Sequence, residues 1–237
     1  MLLFIADLHL STARPEVGEL FLRFLRERAP GSEGLYILGD LFEAWLGDDL
    51  VLPDYAPILS ALKTLTAAGT PVFVQHGNRD FLLGEGFAAA SGCTLLPEAH
   101  VMDLYGRRTL LLHGDTLCTD DHEYQAMRVQ LRRPEFITAF LAKPAAERIA
   151  FARSLRERSQ AETSRKSEYI MDVNAAAVAD AARQHQAVRI IHGHTHRAGV
   201  HTHAVNSHEV ERVVLGDWGA QGSVAVCDAA GCRLEAV

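Results

Sequence analysis

Seven residues able to bind a divalent cation stand in five short motifs. They are Asp7 and His9 in DLH (7–9), Asp40 in GDLFE (39–43), Asn78 in GNRD (77–80), His113 in HGD (113–115), and His194 and His196 in GHTH (193–196). Mixed imidazole and carboxylate donors suit Mn, Fe or Zn better than Ca. Two such ions roughly 3.5–4 Å apart can clamp a phosphoryl group and generate hydroxide at neutral pH, so the set points to hydrolysis at phosphorus. Taken singly, each motif is as compatible with a turn or a strand-end hydrogen bond as with a ligand. The joint pattern carries the argument.

Each motif follows an apolar run. LLFIA (2–6), GLYIL (34–38) and PVFVQ (71–75) read as strands covered on both faces, and RTLLLH (108–113) and RIIHGH (189–194) as strands that end in histidine. Helical periodicity over about 15–29 and 54–68 separates the first three, which predicts a largely parallel α/β arrangement. Ligand sites in such sheets lie beyond the carboxyl ends of the strands, so five ends can converge on one crevice. Residues two apart on an extended strand point the same way, which would let His194 and His196 serve adjacent metals. From Val200 to the C-terminus, short alternating segments predict hairpins completing a second sheet.

The 237 residues carry a net charge of −7, which argues against general nucleic-acid binding. That charge is uneven. Residues 128–166 hold ten Lys/Arg and four Asp/Glu, a local +6 that leaves −13 for the rest. This segment largely overlaps residues of about 120–164, which read as a helical insertion, or lid, on one domain spanning 1–237. No apolar run approaches the roughly 20 residues of a membrane span, and the N-terminus lacks the basic start of a signal peptide. Cys93, Cys118, Cys227 and Cys232 show no CxxC pairing and are expected to be reduced, mostly buried thiols. His192 reads as a packed neighbour of the GHTH motif, and His201, His203 and His208 as surface hairpin residues; His76 has no evident partner.

The five motifs, in this order, resemble those of the calcineurin-like metallophosphoesterases, D-x-H, G-D, G-N-H-[DE], H-G and G-H-[TS]-H. The resemblance implies two packed β-sheets flanked by helices, an αββα sandwich. It also implies a dinuclear site in which Asp40 bridges the metals. Asp7, His9 and His196 would complete one shell, and Asn78, His113 and His194 the other.

The sequence departs from the family at Arg79, where most members have His. That His is positioned to protonate an alcohol leaving group, which an arginine with a pKa above about 12 cannot do. An arginine can instead neutralise phosphate charge. Such a site suits a leaving group already stable as an anion, such as a phosphate expelled from an anhydride. An ion pair between Arg79 and Asp80 is compatible with that role.

The wider stretches ADLHLS (6–11), LYILGDLFEAWLGDD (35–49), HGNRDFLLG (76–84), LHGDTLCTDD (112–121), IMDVN (170–174) and IHGHTHR (191–197) resemble one branch of that family, the lipid A pathway enzymes acting on UDP-2,3-diacylglucosamine. The resemblance implies a metal-dependent hydrolase with two Mn²⁺ ions, in which metal-activated water attacks the α-phosphorus to give UMP and 2,3-diacylglucosamine 1-phosphate. It implies Asp40, Asn78, Arg79 and His194 as catalytic residues. Asn78, Arg79, Asp121, Ser159, Thr163, Lys166 and His194 would contact substrate. It further implies a cytoplasmic protein, monomeric and peripheral on the inner membrane, with no nucleic-acid partner. Independently, Tyr124, Met127, Leu131, Phe136, Ile137, Phe140 and Leu141 offer apolar positions at roughly helical spacing, interleaved with Arg128, Arg132 and Arg133. They could hold acyl chains or simply pack on the body. A general nucleotide or cyclic-nucleotide phosphodiesterase is the alternative enzyme, and a non-catalytic scaffold the alternative from another class.

Overall fold

Why the first strands can be apolar throughout is visible in what covers them. β1 (Leu2–Ile5), β2 (Gly34–Leu38) and β3 (Val72–Gln75) run parallel at the centre of a six-stranded sheet that also holds β4 (Thr94–Leu95), β10 (Ser223–Asp228) and β11 (Gly231–Ala236), ordered β11-β10-β1-β2-β3-β4. Strand residues alternate between faces. Leu3, Ile5, Leu35 and Ile37 face a core shared with α1 (Pro15–Glu27), α2 (Ala56–Ala67) and α3 (Glu85–Ser91). Phe4, Tyr36 and Leu38 face the other way, onto Leu111, Ile191 and Val213 of a second sheet. That sheet has five strands, ordered β5-β6-β7-β9-β8, and includes β5 (His100–Leu104), β6 (Arg107–Leu111) and β7 (Arg189–His192). Its outer face packs Leu110, Ile190 and Val210 against Val178 and Ala182 of α7 (Ala175–His185). The layers are therefore helix, sheet, sheet, helix. This computed structural model describes residues 1–163, 172–206 and 208–237, with only the backbone for 160–163.

Two sequence expectations need correction. β8 (Gly199–Val205) and β9 (His208–Val214) do complete the second sheet, but β10 (Ser223–Asp228) and β11 (Gly231–Ala236) join the first, with β10 antiparallel to β1. The alternation was legible; the choice of sheet depended on which edge was open, a tertiary fact. Cys227 and Cys232 are also not free thiols. They face each other across the β10–β11 hairpin with Cα atoms 4.1 Å apart and form a disulfide. Cys93 and Cys118 are free and buried.

Over the segment expected to be helical, α4 (His122–Leu131), α5 (Pro134–Leu141) and α6 (Ala145–Thr163) follow one another. Pro134 opens α5, since a proline at the first helical position lacks only an N–H that would be unpaired there.

Candidate metal centre and adjoining groove

Two loops fix the centre of the site. Asp40 follows Gly39, whose φ is +91° and whose absent Cβ would lie 2.6 Å from His113 Nδ1. Gly77 comes still closer: a Cβ there would be 2.0 Å from Asp40 Oδ1 and 2.3 Å from its backbone N. Only glycine permits that approach. The buried Asp80 carboxylate ties the two loops together. Its Oδ1 accepts from the N–H groups of Gly77 at 2.8 Å and Asp40 at 3.2 Å, and its Oδ2 from Leu41 at 2.8 Å and Phe42 at 3.4 Å. The Arg79–Asp80 ion pair that the sequence allowed is not formed: both Asp80 oxygens are turned onto backbone donors, and Arg79 stands 3.9 Å from Glu43 instead.

The seven donors do come together. Asp7, His9 and His196 present one ligand atom each within 4.8 Å of one another, and so do Asp7, Asp40 and His113. In both buried aspartates one oxygen is held and the other left to the centre. Asp40 Oδ1 accepts from Arg79 N at 2.8 Å, while Oδ2 stands 3.7 Å from His9 Nε2 and 3.8 Å from His113 Nε2. Asp7 Oδ2 accepts from His194 N at 2.8 Å, whereas Oδ1 is buried with no hydrogen-bond partner among the described residues, 3.5 Å from His196 Nε2. Asn78 Oδ1 meets His113 Nε2 and His194 Nδ1, both at 3.0 Å. His113 donates Nδ1–H to Leu38 O across the two sheets at 2.8 Å, which aims Nε2 inward. A buried orphan carboxylate oxygen facing imidazole nitrogens, beside a second carboxylate reached from both sides, fits a pair of divalent cations.

The electrostatics point the same way. Burial, reinforced by Asp80 and Asp7, pushes Asp40 up to about 7 against the pull of His113. Burial draws His113 down, but the carboxylates of Asp40, Asp7 and Asp115 outweigh it and lift it to about 9. Burial and neighbouring histidines hold His194 down to about 4. Three buried carboxylates and their imidazoles thus contend for positive charge that protons supply poorly and cations would supply well.

Backbone strain marks the same residues. Asp7, His9, Asp40, His194 and His196 all have φ between 50° and 69°. Non-glycine residues in this left-handed region cost about 1–2 kcal/mol each and collect at functional sites. Here the sequence expectation for GHTH is corrected: β7 ends at His192, and His194 and His196 converge through two left-handed residues, not through strand alternation. His192 is buried, donating Nδ1–H to Gly193 O at 2.8 Å and accepting from Arg212 Nη1 at 3.2 Å, a packed neighbour as expected. His76 has a partner after all, donating to Leu83 O at 2.7 Å.

A polar cleft over the centre is lined by His9, Asp40, Asn78, Arg79, Asp121 and His194, among others. An apolar groove adjoins it, lined by Trp45, Phe81, Met127, Leu131, Phe136, Phe140 and Phe151. Asn78, Arg79 and Tyr124 line both. Ser159 lies on the groove. Of the expected lid apolar residues, Ile137 and Leu141 do not line it. Lys166 lies outside the described residues, as does the side chain of Thr163.

Sequence reasoning missed Asp80 as a loop tie, and Glu43 and Asp115 altogether. Glu43 Oε2 stands 3.5 Å from His9 Nδ1, Oε1 stands 3.9 Å from Arg79, and the same carboxylate pairs with Arg156 of α6. The signal was present: all three are carboxylates inside or beside a ligand motif.

Comparison with known proteins agrees with this geometry. Residues 1–198 match the family model described as calcineurin-like phosphoesterase. A UDP-2,3-diacylglucosamine hydrolase of Stenotrophomonas maltophilia is 50% identical over 240 residues, covering 98% of this chain and 97% of that one. A protein of the same name from Serratia proteamaculans is 52% identical over 222 residues, covering 94% and 92%.

Proposed function

The chain belongs to the calcineurin-like phosphoesterase family, and from that premise we propose that it hydrolyses the pyrophosphate bond of UDP-2,3-diacylglucosamine to UMP and 2,3-diacylglucosamine 1-phosphate. The observation that carries the reading is the junction of the two clefts. A polar, metal-competent cleft opens through Asn78, Arg79 and Tyr124 into a groove walled by aromatic and aliphatic side chains. A substrate with a diphosphate at one end and acyl chains at the other matches that sequence of surfaces.

Two divalent ions, Mn²⁺ in our reading, would polarise the phosphoryl oxygens and lower the pKa of the attacking water. The chain's own residues do the rest. Asp40 holds its free oxygen between the two halves of the donor set, with its other oxygen fixed by Arg79 N–H. Asn78 Oδ1 stands 3.0 Å from both His113 Nε2 and His194 Nδ1, so these three atoms would together hold one cation. Water attacks the α-phosphorus, and the Arg79 guanidinium at the junction balances the negative charge building on the departing phosphate. No proton need be given to that group, which is why arginine serves where an alcohol ester would need an acid. Asp121 and Ser159, with Thr163 and Lys166, would contact the sugar and its phosphate. The protein would act as a monomer on the cytoplasmic face of the inner membrane. Exposed Val129, Leu141 and Ile149 beside Arg133 and Arg153 on the insertion support that placement. Among the described residues no helix is long and apolar enough to cross a membrane.

The test is UMP release by the purified protein with Mn²⁺ and UDP-2,3-diacylglucosamine. Release that is strongly preferred over that from the deacylated UDP-sugar is the expected result. Equal cleavage of the deacylated sugar or of a cyclic nucleotide would favour a general phosphodiesterase instead.

A further inference from the structure

Asp115 follows His113 by two residues, yet it belongs to neither group of candidate ligands and is 2% exposed. It meets a row of side chains on the first lid helix. Tyr124 donates its hydroxyl to Asp115 Oδ2 at 2.8 Å, Arg128 donates Nε–H to the same oxygen at 2.7 Å, and Arg132 Nη2 stands 3.7 Å from it. Positions 124, 128 and 132 are four apart and share one helix face. The backbone adds to the attachment: Gln125 donates to Asp115 O at 2.7 Å, and Arg132 to Gly77 O in the Asn78 loop at 2.9 Å.

What this attachment places is Tyr124. Its ring centroid lies 5.8 Å from that of His194, and it walls both the polar cleft and the apolar groove. Arg132 also lies over the ring of Phe81, on the floor of the groove, at 5.5 Å. The buried Asp115 carboxylate, two residues from a candidate metal ligand, thus seats α4 above the centre, with Glu98 pairing the same Arg128 and Arg132.

We propose that Asp115 is a positioning residue that couples the lid to the metal centre, so that acyl-chain recognition and hydrolysis operate in one register. The proposal rests on the function given above for its substrate, but not for its geometry. Without the Asp115 anchor, α4 loses its fixed seat and Tyr124 no longer defines the junction. The site then discriminates poorly between acylated and small substrates.

The test uses the full chain carrying Asp115→Asn, with Tyr124→Phe as the milder variant that keeps the ring and deletes one bond. Three readouts are taken: metal content, amide hydrogen exchange over 122–131, and kcat and KM on UDP-2,3-diacylglucosamine and on bis(p-nitrophenyl) phosphate. The account expects faster exchange confined to 122–131 in Asp115→Asn. It also expects a rise in KM for the lipid substrate that exceeds any change on the small ester by about tenfold, as loss of a hydrogen bond to a charged group implies. Tyr124→Phe should shift the same ratio by less. Unchanged exchange over 122–131, or equal losses on both substrates, overturns the proposal. Should Asp115→Asn fail to fold, a lipid-to-ester ratio in Tyr124→Phe equal to wild type overturns it. If the wild type itself does not cut the lipid, the functional reading fails, and the exchange data alone decide the role of Asp115.

Discussion

Replacing Asp80 by Asn tests how the site is built without touching a ligand. The two side chains are nearly the same shape, but Asn offers one acceptor oxygen where Asp offers two. In the structure each oxygen of Asp80 accepts two backbone N–H groups, those of Gly77 and Asp40 on one side and Leu41 and Phe42 on the other. Whichever way the amide turns, two buried N–H groups face an NH₂. With each bond to a charged group contributing about 1.5–3 kcal/mol, the loss comes to roughly 3–6 kcal/mol. For a chain of this size that lowers Tm by roughly 10 °C or more. The loops that carry Asp40 and Asn78 also lose their common tie, and a displacement of about 1 Å at a reacting centre costs on the order of 100-fold in rate. Thermal unfolding followed by circular dichroism, together with kcat/KM for UMP release, reads both effects. A Tm within about 2 °C of wild type with undiminished kcat/KM would refute the reasoning, because it would mean that the four N–H groups find other partners.

Three further outcomes follow from particular residues. His196 has φ +58°, so in metal-free protein His196→Gly should be more stable than His196→Ala by about 1 kcal/mol, measured by urea unfolding; the reverse order would remove the case for strain. Burial holds His192 at about 3, below its unfolded value near 6.5, so the fold must keep it neutral while the unfolded chain takes up a proton. Stability from this residue is therefore present above about pH 6.5 and lost as pH falls toward 3. Between pH 7 and 5 the wild type should lose about 2 kcal/mol more than His192→Asn, and equal losses would contradict the assignment. Arg79→His should lose activity on the pyrophosphate and gain it on an alcohol phosphoester. Unchanged rates on both would overturn the leaving-group argument.

Much of the site was readable before the fold, because each ligand motif sits where an apolar run stops. An apolar strand ending in Asp, Asn or His is a local pattern, and parallel sheets gather such ends on one side. The seven donors could therefore be named, although the left-handed turns that let His194 and His196 converge could not. Asp80 and Asp115 show the limit. Each lies within a recognisable motif, but whether a carboxylate meets a metal, a backbone turn or a neighbouring helix depends on groups distant in sequence, such as Leu41 for Asp80 and Arg128 for Asp115. The Cys227–Cys232 pair was missed for a similar reason, since hairpin register, not spacing, sets the two residues opposite each other.

In the proposed reaction a two-metal centre built on Asp40 opens an anhydride at the α-phosphorus of a lipid-linked nucleotide. The most direct measurement is hydrolysis of UDP-2,3-diacylglucosamine by the Mn²⁺-loaded protein in ¹⁸O-labelled water, with both products analysed by mass spectrometry. The account predicts one labelled oxygen in UMP, none in the diacylglucosamine 1-phosphate, and no turnover with Asp40→Ala. Label in the lipid product, or turnover that survives Asp40→Ala, would contradict it.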